Sequence, residues 1–376
     1  MIEANTMLPV DSRSMVKVLG RTSKDNPYVL FWTGSRFEMN VKASNLSVVL
    51  KASFENREQW IAVVIDGETL IRMPLQKGNN EIELLRNRNA EVLHNIRIIK
   101  ETPIMPNDGE HYIELLSVKT DGELFWVPER RRKLVFVGDS ITSGEGAIGC
   151  REEQDWVPQI FSACRNYAYM TADALNAEYQ SISQSGWGLV CGYDNDCRHN
   201  MPDTWNRVCS IAYADGPERP VRGAEEEYVF SDFEADAVII NLGTNDWNGF
   251  SMPAFRNPET GETFAMRKNP DGSFSEESVS IFTERMVSFL GDIRKAYPKA
   301  FLLWGYGMLG ADMEDVIQKG LRDYAMKSGE NCPAYIRLPE AKGETFGARM
   351  HPGILCHKQE AEILTGYLKN ILPEEQ

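Results

Sequence analysis

The sequence predicts an α/β protein in two parts: an N-terminal β-sandwich of jelly-roll type, then a three-layer α/β/α domain around a parallel sheet. Three observations carry that expectation. Short strand-like runs fill the stretch from about 16 to 124, with no long helical period among them. After a charged stretch at 128–133, apolar runs alternate with helical patterns. The length of 376 residues also exceeds what a single core usually supports. The expected division is residues 1–127 and residues 128–376.

In the first part, Phe37 to Ala43 alternates apolar and polar residues, as a half-buried strand should. Trp60 to Met73 reads as two strands joined at Asp66-Gly67, a dipeptide suited to a two-residue hairpin turn. Glu81 to Leu85, Asn95 to Ile99 and Tyr112 to Val118 continue the pattern. Trp32 and Trp60 are either core residues or faces for stacking on sugars, and core is the plainer expectation. Glu129 to Lys133 reads as a solvated linker.

In the second part, strands are expected at Leu134–Val137, Glu178–Ile182, Ala237–Asn241, Phe301–Trp304 and Ala334–Leu338. A helix is expected from Glu276 to Ala296, where Val279, Phe282, Met286, Phe289, Leu290 and Ile293 recur at three- and four-residue spacing. An amphipathic helix from about Lys358 to Ile371 closes the chain. Cys191 to about Ser231 is a long insertion of the kind that forms a substrate-binding loop or lid.

A net charge of -15 disfavours nucleic acid and anionic lipid as partners. No apolar stretch approaches the ~20 residues of a membrane span. Met1 to Thr6 lacks the basic and apolar regions of a signal peptide, so a cytoplasmic location is the expectation. The seven cysteines are odd in number and scattered, which suits free thiols. Cys191, Cys197 and His199 lack the spacing of a zinc ribbon, so no metal is implied.

The chemistry-bearing residues follow strand ends. Gly138 terminates the first apolar run, and Asp139-Ser140 stand where open α/β sheets bind ligands. Gly-Asp-Ser is also an ordinary turn, so this tripeptide alone decides nothing. Three other stretches sit at or after strand ends: Ser183 to Gly188, Asn241 to Asp246 and Arg349 to Gly353. Parallel strands bring these ends to one rim. A serine hydroxyl needs a base to remove its proton, an imidazole has the right pKa near neutrality for that task, and His351 is the candidate. The backbone N–H groups of Ser140 and Gly186 and the Asn245 amide are candidate donors to an oxyanion. Gly188 is an alternative to Gly186. Trp187, Trp205 and Trp247 are candidate aromatic faces for a sugar ring. Asp139 and Asp246 flank the reactive residues on the substrate side, where loop-shaping hydrogen bonds are expected of them.

These blocks, Gly138-Asp-Ser140, Gly186, Gly243-Thr-Asn245 and His351, resemble in order the SGNH hydrolases, a branch of the GDSL esterases. The preceding β-sandwich, with Gly-Asp-Ser-Ile-Thr, Ser-Gly-Trp-Gly and Met-Pro-Asp-Thr-Trp, is similar to the acetyl-xylan esterases of carbohydrate esterase family 2. The resemblance implies a serine esterase that removes O-acetyl groups from xylan, mannan or their oligosaccharides and requires no cofactor. Its partner is then an acetylated oligosaccharide; homo-oligomerisation is left open. The rivals are an esterase acting on lipid or thioester acyl groups and a non-catalytic sugar-binding protein. A glycosidase lacks a supporting pair of carboxylates.

One position departs from the resemblance. Most SGNH enzymes carry an aspartate three residues before the histidine, and here that residue is Ala348. The expectation is a Ser-His dyad whose imidazole is oriented by a backbone carbonyl, with Glu340 or Glu344 as the alternative acids. Of the other histidines, His94 and His111 are expected to be structural, and His357 to lie on the surface.

Overall fold

The computed structural model describes residues 15–105, 108–212 and 221–372. The amino-terminal stretch read above for a leader and residues 213–220 of the insertion lie outside the described residues. The chain divides into two compact units. One comprises Met1–Arg130, Trp156–Cys164 and Asn206–Tyr228, and the other Arg131–Asp155, Arg165–Trp205 and Val229–Gln376.

Among the described residues, the first unit is a sandwich of two antiparallel sheets. One sheet runs in the order Lys17–Leu19, Arg36–Lys42, His94–Lys100, Trp60–Ile65, Glu68–Pro74, with Glu123–Phe125 also paired to Arg36–Lys42. The other runs Val29–Leu30, Tyr112–Thr120, Leu46–Ser53, Gly78–Leu85. Alternation explains the packing. Phe37, Met39 and Val41 of one sheet and Val48, Leu50 and Leu115 of the other point into a shared core. The Asp66-Gly67 turn forms as expected, with φ of 53° and 90° at its two residues.

Two segments from later in the chain are built into this unit. Glu101 accepts from Ser162 Oγ (2.7 Å) and from the Cys164 N–H (2.9 Å). Trp32 Nε1 donates to the Val208 carbonyl at 2.7 Å, and Arg21 Nη1 donates to the Arg207 carbonyl at 3.0 Å. The described part of 206–228 is therefore a packed segment and not a free lid. Trp32 is buried, and the Arg72 guanidinium covers the Trp60 ring at 4.3 Å, so neither offers an open face to a sugar.

The second unit holds a five-stranded parallel sheet. Its strands are β1 (Arg132–Gly138), β2 (Ala177–Ser183), β3 (Ala237–Asn241), β4 (Phe301–Tyr306) and β5 (Ala334–Arg337), in the order β2-β1-β3-β4-β5. Leu134, Val135, Phe136 and Val137 are all fully buried, which is what a central parallel strand covered on both faces requires. The helices are α1 (Ser140–Ser143), α2 (Tyr167–Ala174), α3 (Thr244–Gly249), α4 (Glu276–Ala296), α5 (Glu314–Ser328) and α6 (Ile354–Lys369). Helix α4 has the bounds its periodicity predicts. Ser275 caps it by accepting the Ser278 N–H, and Glu276, Glu277, Arg294 and Lys295 complement its dipole.

The charged stretch at 129–133 is not simply a solvated linker. Arg130 pairs with the buried Glu38, while Arg132 is buried in β1 and donates to the Leu175 carbonyl at 3.1 Å. Those partners lie far away in sequence, which is why composition misreads the segment.

Candidate active site

The sheet order reverses direction between β1 and β3, and such switch points open a crevice at the carboxyl ends of the strands. Ser140 follows β1 and Asn245 follows β3, so topology alone places both at that crevice. Ser140 begins α1. Asp139 caps this short helix by accepting the Ile141 N–H at 2.9 Å, and Gly144 ends it in the left-handed region at φ 79°.

His351 lies in the loop between β5 and α6. Its Nε2 is 3.0 Å from Ser140 Oγ, and its Nδ1 is 2.9 Å from the Arg349 carbonyl oxygen. A carbonyl can only accept, so Nδ1 carries the proton and Nε2 faces the hydroxyl as a base. Two successive non-glycine residues, Arg349 and Met350, have φ of 54° and 55°. Each such residue costs on the order of 1 kcal/mol. The kink they make turns the Arg349 carbonyl back onto the imidazole.

Glycines let the histidine loop rest directly on the nucleophile loop. A Cβ on Gly146 would lie 2.4 Å from the Ala348 oxygen and 2.6 Å from His351 Cβ. One on Gly347 would lie 1.8 Å from the Gly146 oxygen. The Ala348 N–H donates to that oxygen at 3.2 Å.

Asn245 ties the remaining blocks together. Its Nδ2 donates to the Trp187 carbonyl at 2.9 Å and reaches Asp139 Oδ2 at 3.3 Å, bridging the neighbours of Gly186 and Ser140. Of the two candidate glycines, Gly188 donates its N–H to the His199 carbonyl at 3.3 Å. Gly186 stands at φ 80° with no acceptor for its N–H among the described residues.

Several expected roles change. Trp205 is buried among Phe230, Phe289 and Tyr297, so its ring is core and not a substrate face. Asp139 and Asp246 are also fully enclosed and do not face substrate. Asp246 accepts the N–H groups of Leu189, Val190 and Cys191 and so shapes the loop after β2. Burial pushes Asp139 up to about 7, with the carboxylates of Asp246 and Glu145 adding to the shift, and pushes Asp246 up to about 6. Trp187 and Trp247 remain half-exposed, with Trp187 stacked on His199 at 5.2 Å. His357 is fully buried and stacked on Tyr167, not on the surface, because α6 buries polar as well as apolar residues. Glu340 is exposed and paired with Lys342, Glu344 is exposed, and neither is a partner of His351.

The sequence reading missed Glu145. Its carboxyl is buried, accepts from Arg349 Nε at 2.9 Å and from Ser185 Oγ, and has Oε1 3.8 Å from His351 Nε2. Burial opposes its ionisation, but His351, Ser185 and Arg349 together hold it below the usual carboxylate range. A charged residue between Gly144 and Gly146, in a loop that must bury, was the available signal.

A switch-point serine, an asparagine after the third strand and a histidine before the last helix define the SGNH class of hydrolase. The carbohydrate esterase 2 N-terminal family model matches residues 18–128. Among solved structures, an acetyl xylan esterase from the rumen bacterium Butyrivibrio proteoclasticus is 39% identical with a TM-score of 0.93, covering 97% of each chain. A family two carbohydrate esterase from Clostridium thermocellum, solved with cellohexaose, is 25% identical with a TM-score of 0.76, covering 94% of this chain and 98% of that one. A cellulase/esterase of Acetivibrio thermocellus is 26% identical over 93% of this chain and 40% of that protein. An acetylxylan esterase / glucomannan deacetylase of Cellvibrio japonicus is 24% identical over 62% of each. The chain thus spans 40% and 62% of the length of these curated relatives. It belongs to carbohydrate esterase family 2.

Proposed function

We propose that this chain is a carbohydrate O-acetyl esterase that removes acetyl groups from xylan- or mannan-derived oligosaccharides through a Ser-His dyad and an acyl-enzyme. The observation that carries the reading is the 3.0 Å contact of Ser140 Oγ with His351 Nε2, on a ring whose other nitrogen faces the Arg349 carbonyl. In this mechanism His351 takes the Ser140 proton as Oγ attacks the acetyl carbonyl. The oxyanion is met by the N–H groups of Ser140 and Gly186 and by Asn245, whose longer 3.3 Å contact with Asp139 is the one it gives up. His351 then gives that proton to the departing sugar oxygen, which leaves as a free hydroxyl. Water attacks the acetyl-serine by the same route in reverse and releases acetate. The substrate class is supported by the names of the relatives and by the half-exposed rings of Trp187 and Trp247, which suit a sugar face.

The test is hydrolysis of 4-nitrophenyl acetate and of acetylated xylo-oligosaccharide by wild type and Ser140→Ala. The expected result is activity on both, with a loss in the variant on the order of 10³-fold or more. Activity on the small ester alone would overturn the substrate, and retained activity in the variant would overturn the nucleophile.

A further inference from the structure

The carbonyl that faces Nδ1 orients the imidazole but brings no full charge to it. When the serine proton moves to His351, an imidazolium forms in a largely buried place, and a neutral partner offsets only part of that charge. The second unit supplies a carboxylate from elsewhere. Glu145 Oε1 is 3.8 Å from Nε2, too far to compete with Ser140 for the hydrogen bond but close enough to act through its field.

Its other bonds reach both working loops. Oε1 accepts from Arg349 Nε at 2.9 Å, and Arg349 is also pinned by its N–H to the Glu153 carbonyl (2.8 Å) and by Nη1 to the Gln154 carbonyl (3.0 Å). The residue whose carbonyl meets Nδ1 is thus clamped in a left-handed conformation that its own backbone disfavours. Oε2 accepts from Ser185 Oγ, beside Gly186.

We infer that Glu145 is the positioning residue and charge partner of His351: it clamps Arg349 so that its carbonyl meets Nδ1, and it supplies from the Nε2 side the negative charge that an aspartate before the histidine would otherwise bring. This rests on the esterase reading given above. The Arg349 guanidinium opposes the charge of Glu145, but that side chain is 34% exposed against 2% for Glu145, so water screens it more. His357 also faces the site from α6; burial pulls it down to about 3, which leaves it neutral near neutrality. Asp139 is buried beside Ser140 and titrates near neutrality, so the readout must come from the His351 ring itself.

The experiment compares wild type, Glu145→Gln and Arg349→Gln, each checked for native circular dichroism. It measures kcat and KM for 4-nitrophenyl acetate and the ring titration of His351 by NMR with 15N-histidine. Glu145→Gln keeps size and one acceptor oxygen but removes the charge. The expected result is a fall in kcat of about tenfold or more with KM within about twofold, and a His351 titration lowered by about one pH unit. Arg349→Gln moves that titration upward, whereas a merely structural role would shift both variants the same way. An unshifted ring in Glu145→Gln, or shifts of one sign in both, would overturn the inference. Should Glu145→Gln fail to fold, Glu145→Asp takes its place: the shorter side chain keeps the charge but draws it away from Nε2, so a lowered His351 titration supports the inference and an unmoved one overturns it. Ser140→Ala in the same assay separates the two claims. Without Ser140-dependent hydrolysis the esterase reading fails, yet the ring titrations still decide the role of Glu145.

Discussion

His351 Nδ1 lies 2.9 Å from the carbonyl oxygen of Arg349, two residues back along the same loop. The imidazole is therefore held by backbone, and neither acid weighed in the sequence takes part. Glu340→Ala and Glu344→Ala are expected to leave kcat/KM on 4-nitrophenyl acetate within about twofold, as surface changes away from a site usually do. A loss of several hundred-fold in either would mean that the carboxylate reaches the ring during turnover.

Gly146→Ala tests the backbone contact between the two loops. The new Cβ needs the space of the Ala348 oxygen and His351 Cβ, and φ is 71°. The expected result is a loss of about 1–3 kcal/mol in stability and a fall in kcat of about 100-fold from displacement of the base. Unfolding curves and steady-state kinetics on one preparation check both.

Acid sensitivity should carry a contribution from His357. Burial holds it down to about 3, against 6.5 in an unfolded chain. Between those values the unfolded state binds a proton that the folded state does not, so this group makes stability fall as pH drops from 6.5 toward 3. His357→Phe keeps an aromatic partner for Tyr167 and deletes the titration. Its stability should decline less steeply over that window than that of wild type, by up to about 1.4 kcal/mol per pH unit.

Lys100 in the sandwich unit should act at the other end of the scale. Its Nζ is fully buried and donates to the carbonyls of Thr102 (2.5 Å) and Pro103 (3.3 Å). Burial pulls it down to about 7 from 10.5, against the opposing influence of Cys209 and Asp108. Between pH 7 and 10.5 the unfolded chain holds a proton that the folded one releases, so stability rises with pH in that window. Lys100→Met leaves two carbonyls unpaired but removes that slope. Urea unfolding from pH 7 to 10 is the check; an unchanged slope would show that Lys100 is charged in the fold.

The local grammar of the chain was legible without coordinates, because it is written in nearest neighbours. Apolar runs and turn residues marked all five parallel strands and the Asp66-Gly67 hairpin, and a 3.6-residue period marked α4. The four blocks could be read in order because each follows a strand end, and parallel strands share one rim. Polar residues on a buried helix face defeated the same reasoning at His357, and burial defeated it at Trp205.

What only the tertiary structure decided is which distant groups meet. The sequence determined that a serine, an asparagine and a histidine would stand at one edge of a sheet, since periodicity and chain order suffice for that. It carried no sign that Arg349, 204 residues from Glu145, would bond to it, or that the segment at 156–164 and the described part of 206–228 would be built into the sandwich unit. Those pairings depend on strand order, on glycine-permitted backbone contact and on two left-handed residues before the histidine. They are set by the closing of long loops around a core, and no local pattern records them.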